Sequence, residues 1–152
     1  MKGRSMGRVT AHAERAIDAP AEELRALVAD YREVRPRILT EHYRDYEVTE
    51  GGTGAGTRAR WTLQATSKRS RNVAATVSEP EPGTVVETDA NSTLVTTWTV
   101  RAEGAGSVVR VETTWQGAGG IGGFFERMFA PKGLARIYDG VLANLEQEVR
   151  QS

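Results

Sequence analysis

Apolar and polar residues alternate along this chain with two different periods, and the switches between them mark its elements. From Val9 to Ile17 (VTAHAERAI) the period is two, which predicts a strand. Within DAPAEELRALVAD (18–30) it lengthens, and Leu24, Leu27 and Val28 share one helical face. Pro20 suits a first helical position there, and Glu22 and Glu23 favour the positive end of the helix dipole. YREVRPRIL (31–39) predicts a second short helix limited by Pro36, whose ring disfavours helical geometry at Arg35. Period two then returns in HYRDYEVTE, TRARWTLQAT, RNVAATVSE, TVVETD, TLVTTWTV and SVVRVETTW. The intervening GGTGAG, SKR, PEPG, ANS and AEGAG are turn chemistry of the kind that joins antiparallel neighbours. GFFERMFA predicts a short helical piece before Pro131 and Gly133. LARIYDGVLANLEQEV follows as a long helix with Leu134, Ile137, Tyr138, Val141, Leu145 and Val149 on one stripe.

The predicted order is strand, two short helices, six strands, long helix. That is an α+β fold, in which seven antiparallel strands form the only surface the apolar stripe of the last helix can cover. Residues 9–152 read as one domain and residues 1–8 as a flexible tail. Alternation sends Val9, Ala11, Ala13, Arg15 and Ile17 inward on the first strand, and His42, Arg44, Tyr46 and Val48 on the second. Trp61 and Leu63 follow on the third strand, Val73 on the fourth, Trp98 on the sixth and Trp115 on the seventh; the fifth is too mixed to orient.

Many of these inward residues are small: Ala11, Ala13, Ala59, Ala65 and Ala75. Gly140 interrupts the long helix at a cost of ~1 kcal/mol against alanine. Close-packed interiors set large residues against small ones, and a curved sheet spanned by one helix encloses more volume than these side chains fill. The expectation is an apolar cavity with aromatic walls, its mouth near Phe125, Met128 and Phe129. The expected ligand contacts are Arg15, Tyr31, Trp61, Leu63, Val73, Trp98, Trp115, Phe125, Phe129, Ile137 and Val141. A loose but dry core is the alternative.

Charge and composition narrow the partners. Twenty basic and twenty acidic residues cancel, so no strong field draws in nucleic acid or a membrane surface. There is no cysteine, hence no disulfide, thiolate metal site or cysteine nucleophile. The first residues lack an apolar signal core and no run approaches the ~20 apolar residues of a spanning helix. A cytoplasmic protein is expected, with no cofactor. Gly117, Gly119 and Gly122 are spaced as G-x-G-x-x-G after a strand, as in a dinucleotide-binding turn. No second strand carrying an acidic residue follows, and no lysine–hydroxyl pair, so these glycines read as a sharp turn into the helix.

AERAIDAPAEELRALVADYREVRP, GGTGAGTRARWTL and LARIYDGVLANLEQEV, with the I-x-A-P-x-E lead-in to the first helix, resemble the START-related polyketide cyclase/dehydrase and lipid-transport superfamily. The likeness spans residues 9–150. It implies the helix-grip fold shared with the birch-pollen-allergen family, and with it a pocket for a lipid, polyketide or aromatic metabolite. Members of the superfamily include aromatase/cyclases, lipid carriers, co-chaperone-like domains and a ribosome-associated toxin type. They share no catalytic motif, so the resemblance leaves the chemistry open and the oligomeric state unset.

His12 and His42 are the only histidines, too far apart for a metal site. His12 falls on a polar strand face with Glu14. His42, Arg44 and Tyr46, with Arg15 on a neighbouring strand, are candidates for a polar end to the pocket, and Tyr31 and Arg35 on the second short helix are similar candidates. There arginine would hold an oxyanion, and histidine or tyrosine would move protons. The alternative is a wetted rim. Arg58, Arg60, Lys68, Arg69 and Arg71 cluster on one hairpin, either as a solvated face or as a surface for an acidic partner or RNA. A hydrophobic-ligand binder is the leading expectation, a cyclase or dehydratase the second, and a macromolecule-binding module the third.

Overall fold

The computed structural model describes residues 8–66, 69–116 and 131–151. Strand β1 (Arg8–Ile17) leads into helices α1 (Ala21–Val28) and α2 (Val34–Ile38). Strands β2 (Tyr43–Glu50), β3 (Arg58–Thr66), β4 (Arg69–Glu81), β5 (Thr84–Asp89), β6 (Val95–Glu103) and β7 (Gly106–Gln116) follow, and helix α3 spans Pro131–Gln151. The strands form one antiparallel, curved sheet in the order β1-β7-β6-β5-β4-β3-β2. The turn-rich connections explain five of the six pairings, since each joins neighbours directly. The sixth closes the first strand onto the last, in unbroken register from Arg8↔Gln116 to Ile17↔Ser107.

Helix α3 lies over β1 and touches α2. Ala11 and Ala13 are buried on β1, and their small side chains let the helix, with its fully buried Leu142 and Leu145, come close. Gly140 has the same purpose: a Cβ there would stand 3.1 Å from the Thr40 methyl. Ala11, Ala13 and Gly140 are therefore sites of close approach and not of empty space.

Two boundaries differ from expectation. Pro36 does not limit α2 but sits inside it, as its third residue. The N–H groups of a first turn have no intrahelical acceptor, so a proline there loses no hydrogen bond. Helix α3 already includes Pro131, a turn before the first residue of its apolar stripe. The glycine turn and GFFERMFA lie outside the described residues, as do Phe125, Met128 and Phe129.

Candidate functional site

The candidate site begins with a loop. Gly54, at φ +61°, lets GGTGAG fold tightly against the α1–α2 junction. Its N–H donates to Ala29 O at 2.9 Å, and Tyr31 N–H donates to Gly52 O at 2.9 Å. Asp30 then organises α2: its Oδ1 accepts from the N–H groups of Arg32 and Glu33 at 3.1 and 2.9 Å. With the junction pinned, helical spacing turns Tyr31, Arg35 and Ile38 inward, and all three are buried.

Arg35 enters the interior as a cation and is only 3% exposed. Its Nη1 donates to Glu87 Oε2 at 2.7 Å and its Nη2 to Val28 O at 3.2 Å. The guanidinium lies between two rings, 4.2 Å from the Tyr31 centroid and 4.7 Å from that of Trp98, where the ring faces attract positive charge. Burial pulls the guanidinium pKa down, but Tyr31 and Glu87 more than offset this and hold it above its ordinary value. The Tyr31 hydroxyl donates to the same Glu87 Oε2 at 2.6 Å. Burial, then the adjacent carboxylate, raise the Tyr31 pKa well above the usual tyrosine range, so at neutral pH it is a donor.

Beside this cluster is a hollow with about 410 Å³ of space between atoms, part of it open to solvent. It is a slit: a water molecule fits at only a few positions. Trp61, Trp98, Leu63, Leu94 and Val111 form its apolar walls, and Arg35, Glu87, Thr96, Tyr43 and Tyr138 bring polar atoms to it. Ala11, Ala13, Ala59 and Ala75 do not line it. Tyr138 joins a hydroxyl chain, bonded to Thr113 Oγ1, which pairs with Thr96 Oγ1 at 2.7 Å. Burial pushes its pKa up to about 12, against the opposing hydrogen bonds from Thr113 and Thr96. Burial also raises Tyr43 and Tyr46.

Strict alternation fails on β2. Asp45 adopts φ +54°, a region a short polar side chain tolerates, and the pairing with β3 gains an extra residue between Arg44↔Thr62 and Glu47↔Arg60. This bulge brings both Tyr43 and Tyr46 onto the Trp61 side. Tyr46 stacks on Trp61 at 6.0 Å between centroids and Tyr43 tilts against it at 6.5 Å. Arg44 is thrown outward, where its Nη1 donates to Gln64 Oε1 at 3.0 Å. His42 stays at the strand's start with Nδ1 3.1 Å from Gln64 O, and the Tyr46 hydroxyl donates to Tyr31 O at 2.6 Å.

The polar end expected from His42, Arg44, Tyr46 and Arg15 is thus not assembled. Arg15 is not on a neighbouring strand, because β1 and β2 are opposite edges of the sheet; its Nη1 pairs with Glu146 of α3 at 2.8 Å. Trp61, Leu63 and Trp98 lie at the hollow, with Tyr31 behind it bonded to Glu87. Val73 faces Trp61 across the β3–β4 pairing. Trp115, Ile137 and Val141 are buried in the core but do not line the hollow. His12 is exposed. In the basic hairpin Arg60 pairs with Glu47 at 2.9 Å and Arg58 with Glu50 at 3.4 Å. Lys68 falls outside the described residues.

Glu87 was missed because Thr84–Asp89 offers no clean apolar face. The available signal was Val85, which shares its face with Glu87 and Asp89; all three are buried.

Residues 8–150 match the family model described as polyketide cyclase/dehydrase and lipid transport. The chain belongs to this family. The KanY protein, known from an NMR solution structure, is 53% identical over 95% of this chain and 99% of its own, with a TM-score of 0.86. TTHA0849 from Thermus thermophilus is 22% identical, covering 94% and 98% of the two chains at a TM-score of 0.73. Truncated norcoclaurine synthase from Thalictrum flavum is 14% identical, covering 93% of each chain at 0.67. These last two likenesses concern the fold. No curated protein matches the chain. Among the described residues, no helix of this family member is long and apolar enough to cross a membrane.

Proposed function

We propose that this polyketide cyclase/dehydrase and lipid transport family member binds a small, mainly apolar molecule between the sheet and α3. The ligand class is a lipid, a polyketide or an aromatic metabolite. The observation that carries this reading is the hollow itself: aromatic and aliphatic walls around a few fixed polar atoms are the ordinary make-up of a ligand site. Because the slit is narrow, binding requires the walls to part. The part best able to move is the pair Tyr43 and Tyr46 over Trp61, since they stand on β2, an edge strand with a bulge and a single neighbour.

Single Trp→Phe variants at 61, 98 and 115, followed by fluorescence with a panel of lipids and polyphenols, test this reading. Quenching or a spectral shift should come from Trp61 and Trp98, with Trp115 silent. Unchanged emission from Trp61 and Trp98 across a broad panel would overturn it.

The second reading is turnover, as a cyclase or dehydratase. Glu87 supports it, because a carboxylate held by Arg35 and Tyr31 in an apolar slit is placed to accept a proton. The rate would come chiefly from holding the chain in a reactive geometry. Of the proton-transfer candidates His42, Arg44 and Tyr46, only Tyr46 lines the hollow, where Glu87, Tyr43 and Tyr138 join it. Loss of product formation in Tyr43→Phe and Tyr138→Phe with binding retained would support it.

A further inference from the structure

Taking the hollow as the binding site, its polar wall also specifies what the bound molecule must carry. Glu87 lines the hollow. Its Oε2 is used twice, by Tyr31 and Arg35, whereas its Oε1 accepts no hydrogen bond from the described residues. A carboxylate in an apolar site keeps its charge at low cost only when its lone pairs find donors. The same wall has the opposite shortage as well. Arg35 Nε and Trp98 Nε1 are buried donors without an acceptor, on side chains only 3% exposed that both line the hollow. Trp115 Nε1, away from the hollow, is unpartnered too; what sets this wall apart is that a free acceptor and free donors stand on one surface, where one bound group can serve both.

We propose that Glu87 sets the specificity of the hollow: the ligand is a neutral molecule that donates a hydroxyl hydrogen to Glu87 Oε1, and carboxylates are turned away. A hydroxyl answers both shortages, giving its proton to Oε1 and offering lone pairs to an N–H of the same wall. A carboxylate could accept from an N–H of that wall but answers only that half. It has no proton to give Oε1 at neutral pH, and Arg35 is already neutralised by Glu87 at 2.7 Å, so a second anion would meet the Glu87 charge in an apolar site. An ether or a hydrocarbon would fill the apolar space and leave Oε1 bare.

Three aromatic probes of similar size separate these cases on the wild-type protein, read by chemical shifts in an amide and indole NMR titration. They are p-cresol, 4-methylanisole and p-toluate. The phenol should bind about tenfold or more tighter than the ether, because it alone supplies a hydrogen bond to a charged acceptor. The toluate should bind weakest. Equal binding of phenol and ether, or tightest binding of the toluate, would overturn the role of Glu87 while leaving the hollow as a binding site. No shifts with any of the three, together with silent tryptophans across the wider panel, would overturn the binding site and this inference with it. Glu87→Gln should narrow the phenol-to-ether ratio and admit the toluate. If that variant does not fold by circular dichroism, the wild-type series decides alone.

Discussion

The two halves of this interior are roofed differently. Under α3, the β1 side is closed by helix backbone brought near through Ala11 and Ala13, and Leu142, Leu145 and Trp115 are 1% exposed or less. On the side of β2 to β6, the cover is made of side chains: Tyr43 and Tyr46 over Trp61, with Arg35 over the rings of Tyr31 and Trp98. Backbone packed on small residues brings atoms into close contact. Large rings packed on one another leave slits, because rigid planes fill space poorly unless they are stacked throughout. One sheet can therefore hold a close-packed core and a candidate ligand site together, according to whether a helix or a set of aromatic rings covers it.

This contrast can be broken experimentally. The largest effect is expected at the ion pair. Arg35→Met strands Glu87 as a lone buried charge and should cost about 3–5 kcal/mol in urea denaturation. Replacing both residues, as Arg35→Met with Glu87→Met, should recover a good part of that loss, since an apolar pair of similar volume needs no desolvation. A double variant no more stable than the single would show that the side-chain roof is not held by the pair.

Matched truncations sharpen the comparison further. Leu142→Ala in the closed half should cost about 3–5 kcal/mol, and Leu63→Ala on the wall of the slit about 2 kcal/mol, because the neighbours of a slit already lack contacts on one side. Equal losses would mean that the two halves are packed alike.

The smallest effect is on pH dependence. Tyr138, raised from 10.0 to about 12, keeps its proton in the folded state where the unfolded chain loses it. The same direction holds for Tyr31 and Tyr43. The stability they contribute is complete below pH 10 and lost as the pH climbs through the folded values. Denaturation midpoints measured from pH 8 to 11 should stay level and then fall above about 10, and Tyr138→Phe should soften the fall. A midpoint unchanged up to pH 11 would contradict the burial of these phenols.

Much of the architecture was readable from local pattern. Alternation, turn residues and one long stripe define seven strands and their helix, because side-chain period and turn chemistry act over a few residues. They also place Trp61, Leu63 and Trp98 on the inner face. What local pattern could not reach was decided by contacts between distant segments. A single extra residue at Asp45 exchanged Arg44 for Tyr43. Closure of β1 onto β7 carried Arg15 to the edge opposite His42. Glu87, unreadable within its own strand, became the partner of Arg35 and Tyr31 from more than fifty residues away. A lone carboxylate on a strand signals nothing about its surroundings; only the folded chain supplies the cation and the hydroxyl that make it worth burying.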